Sequence, residues 1–293
     1  MMNYTLENES IILTIDLKGA ELKSLVRKSD HQEYMWNGDE AFWGRTSPIL
    51  FPVVGRFFND HYIHEGKTYS ISQHGFARDR EFTLVEKSED AIVMRLDSED
   101  ASRAVYPFDF ALEIEYKVDK SEVIVSWKVV NTGESVMYFS IGGHPGFMCP
   151  LNADEKQEEY SVKFSPAPDC LESRLLEGGY ASQQMEEYVL EEGGILPLTD
   201  GIFDGDALVI EGNQAQQVSL LKPDGTEYLS VSFDAPLFGI WSPPKKHAPF
   251  VCIEPWYGRC DPVGYEGELK DREWGNFLES GAVFETSYKI SIK

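Results

Sequence analysis

A histidine and a glutamate stand at the ends of two strand-like segments, where together they could exchange protons with a bound molecule. His144 follows a β-branched and aromatic run that begins at Met137, and Glu254 closes the apolar run that begins at Phe250. Ionised groups are rarely left among apolar neighbours without a partner. A carboxylate and an imidazole form a competent pair of general base and general acid. The sequence therefore suggests proton-transfer chemistry.

The backbone around His144 is unusual for a protein core. Gly142 and Gly143 precede the histidine and Pro145 follows it. We expect the two glycines to let the chain leave the sheet at dihedral angles that other residues avoid, and the proline to fix the exit. An isolated histidine in such a place more often caps a turn than performs catalysis, so the remaining chain must decide between the two roles.

Other polar and aromatic residues also stand near the ends of apolar segments. Each has an ordinary structural explanation, such as an ion pair for an arginine or turn chemistry for an aspartate. Together they suit a sugar, since planar hydrogen-bonding groups bind hydroxyls and an aromatic ring covers the C–H surface. The set comprises Arg56, His74, Asp206, Trp241 and Trp256.

The segments that carry these residues are predominantly strands. Alternating apolar residues at 11–17 and 284–292 indicate half-buried strands at the two ends of the chain. Paired runs at 81–96 and 110–131, each interrupted by a polar turn, predict consecutive antiparallel hairpins. Residues 62–72 predict a further hairpin. This order favours an all-β sandwich over alternating β and α units.

Two segments of the sequence say less about their secondary structure. Residues 151–198 are acidic and rich in glycine and glutamate, and we expect surface excursions there with one or two short strands. Residues 270–277 are predicted to form a short helix. No internal repeat or linker divides the chain, so residues 1–293 are interpreted as one domain.

Composition excludes several classes of partner. The net charge of −24 opposes binding to nucleic acid or to an anionic membrane surface. The start of the chain lacks the pattern of a secretory signal, and the four cysteines lack metal-site or redox spacing. A ligand pair of His61 and His64 is disfavoured because the two would point to opposite faces of a strand. We therefore expect a cytoplasmic protein without a metal site.

Three motifs, in this order, resemble the aldose 1-epimerases, or galactose mutarotase-like proteins, and most closely a LacX-like bacterial branch. The motifs are His74-Gly-Phe-Ala-Arg78, Gly143-His-Pro-Gly-Phe147 and Glu254-Pro-Trp256. The resemblance covers nearly the whole chain, and the three motifs are specific only together. It implies a single-domain antiparallel β-supersandwich with a sugar site in a cleft across its concave face.

The resemblance also implies roles for individual residues. Glu254 corresponds to the catalytic base and His144 to the acid, with His74 as the second catalytic histidine. Arg56 and Asp206 correspond to sugar ligands, with Asp204 as an alternative to Asp206. Trp241, Trp256 and Arg78 complete the expected binding residues. No cofactor is implied, and the number of subunits is not readable from the sequence.

The implied reaction is ring opening and reclosure of an aldohexose at its anomeric carbon. Burial is expected to raise the pKa of Glu254, and nearby carboxylates to favour protonated His144. Three alternatives stay open: a non-catalytic sugar-binding protein on the same fold, a hexose-6-phosphate 1-epimerase, and, less favoured by the short chain, a polysaccharide lyase or hydrolase. A sugar phosphate could be bound by Arg45, Arg78 and Arg80. The negative net charge of the whole chain, in contrast, favours a neutral sugar.

Overall fold

A computed structural model describes residues 3–152 and 154–293, which form antiparallel β-sheets with few and short helices. A four-stranded sheet at the N-terminus contains β1 (Asn3–Glu7), β2 (Ile11–Asp16), β3 (Leu22–Arg27) and β4 (Gln32–Glu33). Two small sheets pair β6 (His61–His64) with β7 (Lys67–Ser70), and β12 (Met137–Phe139) with β24 (Asn276–Leu278). The hairpin predicted at 62–72 is thus confirmed.

A nine-stranded antiparallel sheet forms one layer of the sandwich. Its strands, in spatial order, are β18 (Ile195–Pro197), β15 (Ser161–Ser165), β20 (Gln217–Leu221), β21 (Glu227–Phe233), β25 (Val283–Ile292), β11 (Glu122–Asn131), β10 (Phe110–Asp119), β9 (Ala91–Asp97) and β8 (Thr83–Lys87). Buried and half-buried residues alternate along β11, as expected for a strand with one face on the core. The hairpins predicted within 81–96 and 110–131 are confirmed as β8–β9 and β10–β11.

An eight-stranded sheet forms the second layer and carries the candidate site. Its strands, in spatial order, are β17 (Tyr180–Val189), β16 (Cys170–Glu177), β19 (Leu208–Glu211), β22 (Leu237–Trp241), β23 (Phe250–Tyr257), β13 (Ile141–Gly143) and β5 (Ile49–Leu50), and β14 (Gly146–Met148) pairs with β23 beside this path. All residues of β23 but the last are buried, which explains its nearly continuous apolar sequence.

One large cluster of buried residues joins the two layers. It combines Ile114 and Val125 of the nine-stranded sheet with Ile141 and Ile253 of the eight-stranded sheet. The antiparallel β-supersandwich expected from the sequence is therefore confirmed. The assignment of residues 1–293 to one domain stays a prediction.

Two sequence-based expectations about elements are wrong. The described part of 151–198 contains four strands, β15 to β18, two of which have eight and ten residues. Polar residues obscured them because β17 lies at a sheet edge and exposes most of its side chains. The helix predicted at 270–277 is only a 3-10 turn, Leu269–Asp271, followed by β24.

The remaining helical elements are short. They are α1 (Asp100–Arg103) and the 3-10 turns Phe58–Asp60, Ala77–Asp79 and Gln157–Glu159. Among the residues described, no helix has the length and apolar character required to cross a bilayer.

Candidate active site

A cavity of about 340 Å³ opens on the eight-stranded sheet and gathers most of the residues singled out in the sequence. Its size falls near the lower end of the range for small-molecule sites. Side chains from β19, β22, β23 and the loops around them form its walls. The lining residues are Trp43, Val54, Gly55, Gln73, His74, Arg78, His144, Leu176, Gly179, Asp206, Ala207, Val209, Trp241, Pro244, Glu254, Trp256, Arg259 and Cys260.

Glu254 projects from the middle of β23 into this cavity and is only 1% exposed. Its Oε2 atom lies 3.3 Å from Nε2 of His144 and makes no hydrogen bond within the described residues. Burial raises the pKa of the Glu254 carboxyl well above its ordinary value, the Trp256 indole beside it opposes this rise, and the charge of Asp206 adds to it. The direction agrees with the expectation from the sequence.

His144 follows β13 directly and is held by its backbone and by aromatic rings. The backbone N–H of His144 donates to the carbonyl of Pro48 at 3.1 Å. The imidazole stacks on Trp43, with ring centroids 4.7 Å apart, and meets Trp241 edge-on at 5.3 Å. These contacts restrict the ring to one orientation toward Glu254.

The expectation that His144 would favour its protonated form is wrong. Burial lowers the pKa of His144 to about 3, and the positive charges of Arg78 and Arg45 lower it further, although the histidine's own backbone opposes this. The nearby carboxylates do not reverse the effect. The physical reason is first that burial removes water from the charged imidazolium, and second that the cavity brings guanidinium groups close, which disfavour a further positive charge.

The two glycines before His144 serve close packing, not the unusual dihedral angles that we expected. Both lie within β13, and neither has a positive φ. A Cβ atom on Gly142 would lie 2.7 Å from Cδ1 of Trp256, and one on Gly143 would lie 3.1 Å from Cζ2 of Trp127. The absence of side chains therefore lets β13 lie between a cavity tryptophan and the nine-stranded sheet.

His74 lies close to His144 and is positioned by Gly55. The two imidazole centroids are 5.7 Å apart, with the rings at 87°. The backbone of His74 has φ of 66°, in the left-handed region that few side chains adopt. Burial lowers the pKa of His74 well below its ordinary value, as do the nearby charges of His144, Arg78 and Arg45.

Four further predicted residues also line the cavity: Asp206, Trp241, Trp256 and Arg78. Asp206 lies at the turn before β19, whereas Asp204 accepts a hydrogen bond from the Lys245 backbone and is not among the lining residues. Arg78 donates through Nη2 to the carbonyl of Gln73 at 2.6 Å, while its Nε makes no hydrogen bond within the described residues. Burial lowers the pKa of Arg78 to about 10.

Comparison with known proteins identifies the family of this chain. Residues 2–266 match the family model described as Aldose 1-epimerase. The chain belongs to the aldose 1-epimerase family. This membership supports an epimerase type of activity on a sugar, and it agrees with a cavity that combines a carboxyl group and an imidazole with tryptophans.

Relatives of this aldose 1-epimerase family member extend over its whole length. It is 32% identical to the plasmid and chromosomal LacX proteins of Lactococcus lactis subsp. lactis, over 99% of both chains. A galactose mutarotase related enzyme from Lactobacillus acidophilus has a structure with a TM-score of 0.94 and 33% identity, covering 100% of this chain and 97% of that one. A galactose mutarotase-like protein from Lactobacillus casei ATCC 334 has a TM-score of 0.93 and 32% identity, with 100% of each chain covered.

Arg56 is the one predicted site residue that the epimerase fold does not place among the cavity-lining residues. Its guanidinium donates to Asp60 at 2.8 and 2.9 Å, and its Cζ lies 5.3 Å from the centroid of the Tyr180 ring. The aliphatic part of Arg56 approaches Gly179 at the edge of the cavity. The arginine therefore has the ion pair that the sequence left open as the commoner explanation.

Sequence reasoning missed Arg259 and gave Trp43 no individual role. Arg259 follows β23, is 3% exposed and lines the cavity, and its guanidinium is held by Glu211 and Glu273. The dipeptide Gly258-Arg259 repeats the Gly-Arg pattern of residues 55–56. This repetition is the feature of the sequence that could have identified Arg259. Trp43 was not singled out in the sequence, although it lines the cavity and stacks on His144.

Proposed function

We propose that this protein is an aldose 1-epimerase that interconverts the α and β anomers of a neutral aldohexose by general acid–base catalysis. The observation that supports this most strongly is the 3.3 Å separation of Glu254 Oε2 and His144 Nε2 in a cavity with tryptophan walls. The ring oxygen and the anomeric hydroxyl of a sugar are bonded to the same carbon. A proton donor and a proton acceptor that serve both oxygens must therefore be neighbours.

In the proposed reaction Glu254 takes the proton of the anomeric hydroxyl while protonated His144 donates a proton to the ring oxygen. The bond between C1 and the ring oxygen breaks and C1 becomes an aldehyde. Rotation about the bond from C1 to C2 exposes the other face of the carbonyl. The former ring oxygen then attacks C1 and returns its proton to His144, while Glu254 returns its proton to the anomeric oxygen.

The shifted pKa values of Glu254 and His144 affect both proton transfers. A raised carboxyl pKa makes ionised Glu254 a stronger base, and a lowered imidazolium pKa makes protonated His144 a stronger acid. Without a bound sugar, the same pKa directions hold the pair's proton on Glu254. Polar contacts from the bound sugar are thus needed to favour the charged arrangement, and Asp206 and Arg78 are the ligands that we propose for its hydroxyls.

Anomer exchange measured on fresh sugars tests this function. Glucose, galactose and their 6-phosphates should be followed by polarimetry or by exchange NMR of the anomeric proton, with and without protein. We expect faster interconversion of a neutral hexose without bond cleavage between sugars. Faster exchange confined to the 6-phosphates would favour a hexose-6-phosphate 1-epimerase, and binding without any acceleration would favour a sugar-binding protein.

A further inference from the structure

A third side chain with metal-binding chemistry lies beside the proposed acid–base pair. Cys252 precedes Glu254 by two residues on β23, so both side chains project from the same face of the sheet. Donor atoms of His144, Cys252 and Glu254 all lie within 4.8 Å of one another. All three residues are buried, with exposed fractions of 8%, 0% and 1%.

Two of these three side chains have donor capacity that the described residues leave unused. Oε2 of Glu254 makes no hydrogen bond there, and Cys252 is a free thiol. A buried carboxylate oxygen without a partner carries a cost in free energy. Coordination to a cation would satisfy that oxygen.

We propose that His144, Cys252 and Glu254 form a binding site for a soft divalent metal ion such as Zn²⁺, and that the bound ion inhibits sugar turnover. The inhibitory effect rests on the proposed function, because the ion would occupy both the proton donor and the proton acceptor. This differs from the expectation of no metal site, which rested on cysteine spacing and on the His61–His64 pair in the sequence.

The donor types and the distance support this choice of ion. Thiolate, imidazole and carboxylate are ligands that zinc combines, whereas magnesium and calcium prefer oxygen alone. Zn–N and Zn–O bonds of about 2.1 Å at a tetrahedral angle place the two donor atoms about 3.4 Å apart. The observed separation of Glu254 Oε2 and His144 Nε2 is 3.3 Å.

The position of the three ligands leaves one coordination site open. Glu254 and His144 line the cavity, whereas Cys252 is not a lining residue and lies in the apolar cluster with Phe250. The ion would therefore enter through the cavity and keep its fourth position toward the solvent. A thiolate and a carboxylate balance its two positive charges, so that no net charge is buried.

Inhibition by Zn²⁺ after chelator treatment of the full chain is the first measurement. The decisive variant is Cys252→Ser, with Cys252→Ala as a second form in case serine disturbs the apolar cluster. We expect Zn²⁺ to inhibit the wild type reversibly, and either variant to keep the metal-free rate while requiring at least tenfold more Zn²⁺ for equal inhibition. Equal sensitivity of both folded variants and the wild type would overturn the proposal.

Two matched controls exclude other zinc ligands of the chain. Cys170→Ser removes an exposed thiol, and His247→Ala removes the histidine of an exposed cluster with Glu158 and Asp200. Both controls should be inhibited by Zn²⁺ as the wild type is. Loss of sensitivity in either control, with Cys252 intact, would place the inhibitory ion elsewhere and overturn the proposal.

Co²⁺ provides a readout that does not depend on turnover. Coordination by Cys252 should produce sulfur-to-cobalt charge-transfer absorption in the wild type and in both controls, but not in the Cys252 variants. If the protein shows this absorption without epimerase activity, the proposed function fails and the metal site stands. If it is active but shows no such absorption, the metal site fails and the function stands.

Discussion

Gly55 and His74 are joined by two hydrogen bonds that fix the histidine ring and its proton. The backbone N–H of His74 donates to the carbonyl of Gly55 at 2.6 Å, and the backbone N–H of Gly55 donates to the ring atom Nδ1 of His74 at 3.1 Å. Because Nδ1 accepts a hydrogen bond, the neutral ring must carry its proton on Nε2. The side-chain amide of Gln73 lies 3.3 Å from this Nε2 and must then present its oxygen to the proton, so a sugar hydroxyl would replace Gln73 as the acceptor.

The first prediction concerns this tautomer. The lowered pKa of His74 should keep its ring neutral, with the proton on Nε2, throughout pH 6 to 8. ¹⁵N NMR of the imidazole nitrogens measures this directly, and the spectrum of His74→Asn assigns the signals. A proton on Nδ1, or titration of the ring within this pH range, would contradict the assignment.

The second prediction concerns the acid–base pair. Glu254→Gln and His144→Asn should each lower kcat by about 10²- to 10⁴-fold, because each removes one partner of the proton exchange. Both variants should still bind sugar, as measured by titration calorimetry. Near-wild-type rates in either variant would remove that residue from the mechanism.

The third prediction separates two arginines. Arg78→Met should raise KM by about 10- to 100-fold, because a charged donor to a sugar hydroxyl is lost. Arg56→Met should change KM little, since Arg56 pairs with Asp60 and does not line the cavity. Steady-state kinetics of the two variants decides the matter, and an equal rise in KM for Arg56→Met would restore its predicted role as a sugar ligand.

The fourth prediction concerns stability in acid. The folded-state pKa of His144 is about 3 and the ordinary value is 6.5, so only the unfolded chain binds this proton between those values. Stability should therefore fall as the pH falls from 6.5 to 3, with a contribution from His144 of up to about 1.4 kcal/mol per pH unit. His144→Asn should make this fall shallower.

Chemical denaturation at several pH values measures the slope, and Glu254→Gln provides a contrast of opposite sign. The raised pKa of Glu254 means that the folded protein retains a proton that the unfolded chain loses above pH 4.5. That carboxyl therefore lowers stability as the pH rises. Its removal should steepen the loss of stability on acidification, and the same change of slope in both variants would refute these assignments.

The fifth prediction concerns the packing of Gly142. Gly142→Ala should destabilise the fold by about 1–3 kcal/mol, because its Cβ would lie 2.7 Å from Cδ1 of Trp256. Gly205→Ala is the matched control, since a Cβ there would meet no atom within 4 Å. Thermal unfolding compares the two, and equal stability of both variants would mean that the tryptophan moves at no cost.

Much of the fold was readable from local patterns. Strand periodicity and polar turns act over a few residues, so the hairpins β8–β9 and β10–β11 followed from the sequence. Edge strand β17 did not, because a strand with most side chains in solvent lacks the alternation of buried and exposed residues. Its pairing with β16 stabilises it through backbone hydrogen bonds, which no side-chain pattern reports.

The sequence by itself determined the antiparallel sandwich, the family and the residue types of the candidate site. It did so because the motifs around His74, His144 and Glu254 are short and contiguous. Only the tertiary structure decided that Arg56 pairs with Asp60 while Arg259 reaches the cavity. Charge and burial at one point depend on residues that are far apart in the chain, and so the lowered pKa of His144 was not readable from its neighbours in sequence.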